Sequence, residues 1–420
     1  MIKKELELYI HIPFCVKKCA YCDFLSGPAD AGERAAYVDA LIREIALRGE
    51  YYKEYCVKTI FLGGGTPSVL EGADTARIFR ALREHFQIDG GCEITMEVNP
   101  GTVTEEKAEI WKAGGINRIS IGLQSVNDDE LKMLGRIHTF REFLHTWKIL
   151  RKAGFENMNI DLISAIPGQT KESWERTLRT VAGLEPEHIS AYSLIVEEGT
   201  PFYDRYGAET ADESDRAEER RSEVLLPDED AQVVPLPDED TERAIYQATE
   251  RILEEYGYRR YEISNYARDG YECRHNLGYW ERKEYLGLGL GAASLIGERR
   301  FHNTDDAVKY KALFMRSVGA SEERSADSRP EEEELQEETE ILSVQDQMEE
   351  FMFLGLRKTD GISEQEFRAN FGKEIGKVYG EQIRRLTGLG LLERCESRGR
   401  LRLTQRGVDV SNYVFAEFLF

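Results

Sequence analysis

Short apolar runs alternate with longer amphipathic ones along the first half of the chain. Residues 8–12, 59–62, 94–98, 118–123, 157–163 and 188–194 are each brief and rich in apolar or β-branched side chains, the pattern of strands. Between them, apolar residues recur three and four apart, as in Tyr37, Val38, Leu41, Ile42 and Ile45, or Trp174, Leu178, Val181 and Ala182. Strand–helix alternation six times over predicts a parallel α/β sheet, open or closed into a barrel. Glycine-rich or polar residues follow nearly every strand, where such folds carry their chemistry.

The helical period resumes near Thr241, with Ile245, Ala248, Ile252, Leu253 and Tyr256 on one face. Further on, 349–356, 363–371 and 374–386 read as helices, 391–403 as a hairpin turning at Arg398-Gly399, and 404–418 as a helix. Helices with one hairpin predict a small winged-helix-like module. Such modules often bind DNA, but few cations cluster here, so a scaffolding or lid role fits better.

Two segments break the pattern. Residues 207–240 are acidic and duplicate Leu226-Pro-Asp-Glu-Asp at Leu236, which predicts a flexible insertion; 319–341 predicts a charged linker. Charge makes them more distinctive. The chain has 420 residues and a net charge of −23. Residues 209–240 hold 13 acids against 3 arginines, and 321–340 hold 10 against 2, so these stretches carry −18 of it. No basic stripe suited to nucleic acid remains. No apolar run approaches the ~20 residues of a membrane span. The N-terminus lacks a secretory apolar stretch, so a cytosolic protein is expected.

Seven cysteines, three of them within eight residues, point to metal binding or catalysis over disulfides. Cys15-Val-Lys-Lys-Cys19-Ala-Tyr-Cys22 directly follows the first predicted strand. Three thiolates on one short loop can each ligate one iron of a [4Fe–4S] cubane. The fourth iron is then free for the amino and carboxylate groups of S-adenosylmethionine (SAM). A tetrahedral zinc site is the alternative, with His11 as the nearest further ligand.

Gly63-Gly-Gly-Thr-Pro67 ends the second strand, where backbone amides can approach a ligand closely. Glu97, Gln124, Arg136 and Asp161 stand at strand ends or in the loops after them. Each reads equally well as a satisfied polar group; together they point at one edge of the sheet.

Tyr9-Ile-His-Ile-Pro-Phe-Cys15, Cys19-Ala-Tyr-Cys-Asp-Phe24, Gly63-Gly-Gly-Thr-Pro67, Gly122-Leu-Gln-Ser125 and Ile166-Pro-Gly-Gln-Thr170 jointly resemble the HemN/HemW radical SAM family. That family comprises oxygen-independent coproporphyrinogen III oxidases and haem chaperones, and the resemblance spans about 8–315 and 345–420. It implies a partial (β/α)6 TIM-like radical SAM barrel, with its core in 1–206 and its completion in 241–318, followed by a HemN-type winged-helix-like domain in 342–420. It also implies Cys15, Cys19 and Cys22 as [4Fe–4S] ligands, and Tyr9, Tyr21, Gly64, Gly65, Thr66, Glu97, Gln124, Arg136 and Asp161 around SAM.

The oxidases carry a fourth cysteine two residues after the third; here that position is Phe24, the HemW-like pattern. A second signature of that branch, His275-Asn-Leu-Gly-Tyr-Trp280, is associated there with haem. The resemblance implies His275 as a haem-iron ligand, with Tyr279 and Trp280 along the porphyrin face and Cys273 as a second possible ligand. Read from the residues alone, the better reading is that these aromatics pack a core, with His275 as a cap of a helix or strand.

Two positions depart from the family: Ala165 stands where glycine is usual, and Leu290-Gly-Ala-Ala293 replaces Pro-Gly-Ala-His. The expectation is a haem chaperone passing haem to an acceptor protein, with an electron donor such as a flavodoxin or ferredoxin and at most peripheral membrane contact. The alternatives are a coproporphyrinogen III oxidase of the radical SAM type and another tetrapyrrole-modifying radical enzyme.

Overall fold

Six strands run parallel and side by side in chain order: β1 (Lys4–Ile12), β2 (Tyr55–Gly64), β3 (Ile88–Val98), β4 (Arg118–Gln124), β5 (Met158–Ser164) and β6 (His188–Ser193). The computed structural model describes residues 3–210, 234–315, 334–395 and 399–419. The connections carry α1 (Ala31–Tyr51), α2 (Gly72–His85), α3 (Glu105–Ala113), α4 (Asp128–Met133), α5 (Phe140–Lys152) and α6 (Lys171–Ala182). After β6 come α7 (Pro201–Thr210), α8 (Glu239–Glu255), β7 (Arg259–Arg260), β8 (Asn265–Ala267), α9 (Arg274–Trp280), β9 (Tyr285–Leu288), β10 (Ala293–Ile296), β11 (Arg299–Asn303), α10 (Ala307–Met315) and β12 (Gln336–Ile341).

The sheet order is β12-β11-β10-β9-β1-β2-β3-β4-β5-β6-β8-β7. An unbroken parallel run in sequence order is the topology of a barrel wound in one direction. Antiparallel β8 beside β6 ends that run, so the sheet is a partial barrel. Gln336–Ile341 lies within the stretch whose acidity suggests a linker, yet it forms the edge strand, paired antiparallel with β11. The predicted turn at Arg398 and most of the acidic insertion lie outside the described residues.

Strand alternation sorts the side chains into two faces. Leu8, Ile10, Ile12, Ile60, Leu62, Met96, Ile119, Ile121, Ile160 and Leu162 face the helices and are fully buried. Glu7, Tyr9, Thr59, Phe61, Glu97, Ser120, Asn159 and Asp161 occupy the opposite parity and turn toward the barrel interior. The helices start where Ser, Thr or Asp can cap them: Asp30 and Glu33 form a reciprocal capping box on α1, Thr139 and Glu142 another on α5.

The last module has a core of its own built from α11 (Val344–Gly355), β13 (Ile362–Ser363), α12 (Glu364–Phe371), α13 (Ile375–Val378), α14 (Gly380–Gly388), β14 (Leu392–Cys395), β15 (Arg400–Leu403), α15 (Gln405–Asp409) and α16 (Ser411–Ala416). A three-stranded sheet in the order β13-β15-β14 beside helices gives the winged-helix-like form. The module docks under the barrel. Glu350 of α11 takes Arg282 and Arg300, and Lys358 reaches Glu281.

On the other side, α1 is tied to the added strands by one buried carboxylate. Glu44 accepts from Gly289 N at 2.7 Å, Tyr310 Oη at 2.6 Å and Asn303 Nδ2 at 2.8 Å, with Arg48 one turn away. Glu44→Leu removes the acceptor from these donors and the carboxylate from beside the buried Arg48, which keeps its bond to Asn303 Oδ1. The expected loss is about 3–5 kcal/mol of unfolding free energy, measurable by urea denaturation.

Candidate functional site

The chain leaves β1 at Pro13 and returns to the same place. Cys15 N donates to Gly27 O at 3.0 Å and Gly27 N to Pro13 O at 3.1 Å, which pins both ends of the cysteine loop. Its middle is anchored by Ala20 N to Leu134 O and by Phe202 N to Ala20 O. The thiols of Cys15, Cys19 and Cys22 are free and half-buried. Cys15 Sγ lies 3.3 Å from Thr66 Oγ1, and Arg136 Nη1 donates to Cys19 Sγ at 3.6 Å. Burial pushes the Cys22 thiol up, with the neighbouring Cys19 and Cys15 adding to it. Among the described residues, no three His, Cys, Asp or Glu side chains converge on one ion position. His11 is also committed elsewhere: Nδ1 bonds Tyr9 Oη at 3.0 Å and Nε2 bonds Leu25 O at 2.8 Å.

The glycines at the end of β2 seat this loop. A Cβ on Gly65 would lie 2.7 Å from Phe14 O, and Gly64 takes φ +106°. Their amides are already used: Gly65 N bonds Ile12 O, Thr66 N bonds Phe14 O, and Gly64 N bonds Glu97 Oε2 at 3.2 Å. The first two hold the cysteine loop against the sheet edge; the Gly64 bond is the longest of the three.

Arg136 organises the polar side of the pocket. Its Nη2 bonds Asn99 Oδ1 and Gly122 O, both at 2.7 Å, and Asn99 Nδ2 passes on to Thr66 Oγ1 at 2.8 Å. Arg136 Nε is buried without a partner, and Tyr21 bonds the same guanidinium. Gly122 leaves room for this arrangement, since a Cβ there would sit 2.7 Å from Asn99 Oδ1. Asn99 is not among the residues the sequence singles out, although it stands two places after Glu97.

Below these groups, Asp161 accepts from Ser120 Oγ at 2.8 Å and Asn159 Nδ2 at 2.7 Å. Burial, then the charge of Asp161, pushes the Glu97 carboxyl up to about 8. Gln124 closes β4 in a left-handed conformation, φ +71°. The structure therefore brings Tyr9, Tyr21, Glu97, Gln124, Arg136 and Asp161 to the interior or carboxyl edge of one sheet, beside the cysteine loop.

The other predicted residues lie elsewhere. His275, Tyr279 and Trp280 belong to α9, which plugs the opposite end of the barrel. The α9 N-terminus is held by Glu93, whose carboxylate accepts from His275 N at 3.1 Å and Arg274 N at 3.2 Å. His275 is 1% exposed and stacks on Phe61. Its Nδ1 bonds Thr59 Oγ1 at 2.7 Å and its Nε2 bonds Tyr279 Oη at 3.0 Å. Burial drives its pKa down to about 3, so it is neutral. Trp280 faces the C-terminal module, with the Arg357 guanidinium 4.4 Å above its ring. Cys273 is fully buried, its Sγ 3.7 Å from Glu93 Oε1. In this arrangement the motif packs core and interface, the reading its residues allow without the family.

Two measurable consequences follow from strain and burial. Ala165 sits at the end of β5 with φ +58°, a region that favours glycine. Ala165→Gly is expected to raise stability by about 1 kcal/mol, readable as an upward shift in thermal midpoint. Glu7 lies under α9, where the Gly278 Cα packs against its carboxylate and Oε2 has no partner. Burial raises its pKa from 4.5 to about 8, against the opposing charge of Lys283. Between those values unfolding releases a proton, so stability falls as pH rises through the window. Glu7→Gln removes that loss, and its stability relative to the parent is expected to increase from about pH 5 to about pH 8 in urea titrations.

Residues 9–181 match the Radical SAM superfamily and 342–410 the HemN C-terminal domain. The heme chaperone HemW of Lactococcus lactis is 35% identical over 419 residues, covering 100% of this chain and 98% of that protein. The heme chaperone HemW of Bacillus subtilis is 32% identical, covering 98% of both. Among solved structures, the coproporphyrinogen III oxidase HemN of Escherichia coli, a radical SAM enzyme, superposes with a TM-score of 0.77 at 23% identity, over 99% of this chain and 90% of that one. Full-length similarity above 30%, on a sheet with the HemN fold, means that this chain belongs to the heme chaperone HemW family of radical SAM proteins.

Proposed function

We propose that the protein is a haem chaperone: it binds haem alongside a [4Fe–4S]/SAM centre and passes the haem to an acceptor protein. The observation that carries this reading is the full-length similarity to proteins named heme chaperone HemW. Phe24, at the place of the oxidases' fourth cysteine, supports it.

Cys15, Cys19 and Cys22 would each hold one iron of the cluster. A centre of this kind supplies one-electron reduction of the SAM sulfonium. The protein's own groups do the rest. Arg136, fixed by Asn99 and Gly122, donates a hydrogen bond to the Cys19 sulfur. Glu97 and Asp161 offer carboxyl oxygens to the hydroxyl and amino groups of the nucleoside. At neutral pH the raised pKa of Glu97 lets it donate a proton in a hydrogen bond as well as accept one. Tyr9, Phe61 and Tyr192 line the inner face and keep exposed area there.

As part of this proposal His275 would hold the haem iron; the residue is 1% exposed and its ring stacks on Phe61, so ligation would require α9 to move off the sheet as well as Nε2 to be released from Tyr279 Oη. The acceptor protein and a one-electron donor of the flavodoxin or ferredoxin type act in the cytoplasm. No helix among the described residues is long and apolar enough to cross a membrane.

Anaerobic haemin titration tests the reading. The full chain is expected to shift the Soret band with saturation. His275→Ala is expected to lose most of that shift while keeping the iron and sulfide content of the parent. An unchanged shift in the variant removes His275 as the ligand. No shift in the parent, or protoporphyrinogen formed from coproporphyrinogen III with SAM and reductant, overturns the chaperone reading.

A further inference from the structure

A cavity of about 310 Å³ lies between the barrel and the C-terminal module, far from the cysteine loop. Its charged lining is Arg260 and Glu250 from the barrel and Arg357, Lys358, Glu393 and Arg402 from the module. Four cations thus face two carboxylates in a chain with 78 acids and 55 bases.

The pairing leaves one cation over. Arg260 reaches Glu250 at 3.1 Å, Arg402 reaches Glu393 at 2.7 Å, and Lys358 turns out to Glu281 at 3.1 Å. Arg357 has neither a hydrogen-bonded nor an ion-paired side-chain partner among the described residues; its guanidinium only stacks on Trp280. Glu262 feels its charge, but Glu262 Oε1 already accepts from Ser264 N at 2.9 Å and from Asn265 Nδ2. The Nε of Arg260 is likewise buried without a partner, on a side chain 6% exposed. Buried guanidinium nitrogens are normally satisfied, because leaving them bare forfeits hydration with no return.

We propose that this cavity binds a small molecule carrying an oxyanion, phosphate or carboxylate, on Arg357. A guanidinium fork presents two parallel N–H donors that match two oxygens of such a group. The volume is at the lower limit of about 300–1,000 Å³ for small-ligand sites, which selects a compact molecule over a tetrapyrrole. The site is independent of the haem reading. Its occupant would bridge the barrel strand bearing Arg260 and the turn after α11, and so fasten the module onto Trp280.

Calorimetric titration of the full chain with sodium phosphate and with sodium malonate, each against sodium chloride at matched ionic strength, tests this. One saturable site per chain is expected for at least one of the two anions, and which of them binds identifies the source chemistry. Arg357→Gln is expected to weaken it at least about tenfold, and Arg368→Gln, on the module's exposed surface, to leave it unchanged. If Arg357→Gln fails to fold by circular dichroism, Arg402→Gln, which removes a second cation from the cavity lining, decides through a several-fold loss. No saturable heat with either anion, or parental binding in the cavity variants, overturns the proposal.

Discussion

The inner face of the parallel sheet is polar, and a polar face inside a protein must find partners. This constraint organises the molecule. At the carboxyl edge, Arg136, Asn99 and Thr66 bond in a chain, Glu97 takes the Gly64 amide, and Arg136 Nε is still left bare. At the amino end, α9 supplies the partners: its first amides meet Glu93, and His275 meets Thr59. Between these ends, Ser120, Asn159, Asp161 and His188 form one hydrogen-bonded chain across three strands. The outer face obeys the ordinary rule, with aliphatic side chains under helices.

The two faces were unequally legible in the sequence. Aliphatic alternation located all six parallel strands, because burial of one face imposes a period of two. It missed extensions such as Ile88–Glu93, where Asp89-Gly-Gly-Cys breaks the apolar run and the pairing with β2 jumps from Ile88 to Glu93. The cysteine loop was legible because three sulfur ligands at that spacing have few other uses. Asn99 was not, since an asparagine before a proline signals a turn, and only the folded loop brings it to Arg136. Composition misled at 336–341: glutamates suggest solvated chain, yet an edge strand exposes one side and tolerates them.

The α9 motif shows how far a family pattern reaches. The pattern draws attention to His275, Tyr279 and Trp280, and the fold gives them three different surroundings. His275 lies against the sheet, Tyr279 bonds it from below, and Trp280 faces the C-terminal module. What they share is the junction itself. Gly278 is required there for a local reason, since the Glu7 carboxylate occupies the space any side chain would need.

The edge strand has a wider consequence. Gln336–Ile341 terminates the twelve-stranded sheet with one row of backbone groups open to solvent. Glu337, Glu338 and Glu340 line it, Glu338 takes φ +47°, and the register slips beside it. Negative charge and an irregular backbone both discourage a second chain from adding to that row. The acidity of this stretch is therefore a guard against self-association.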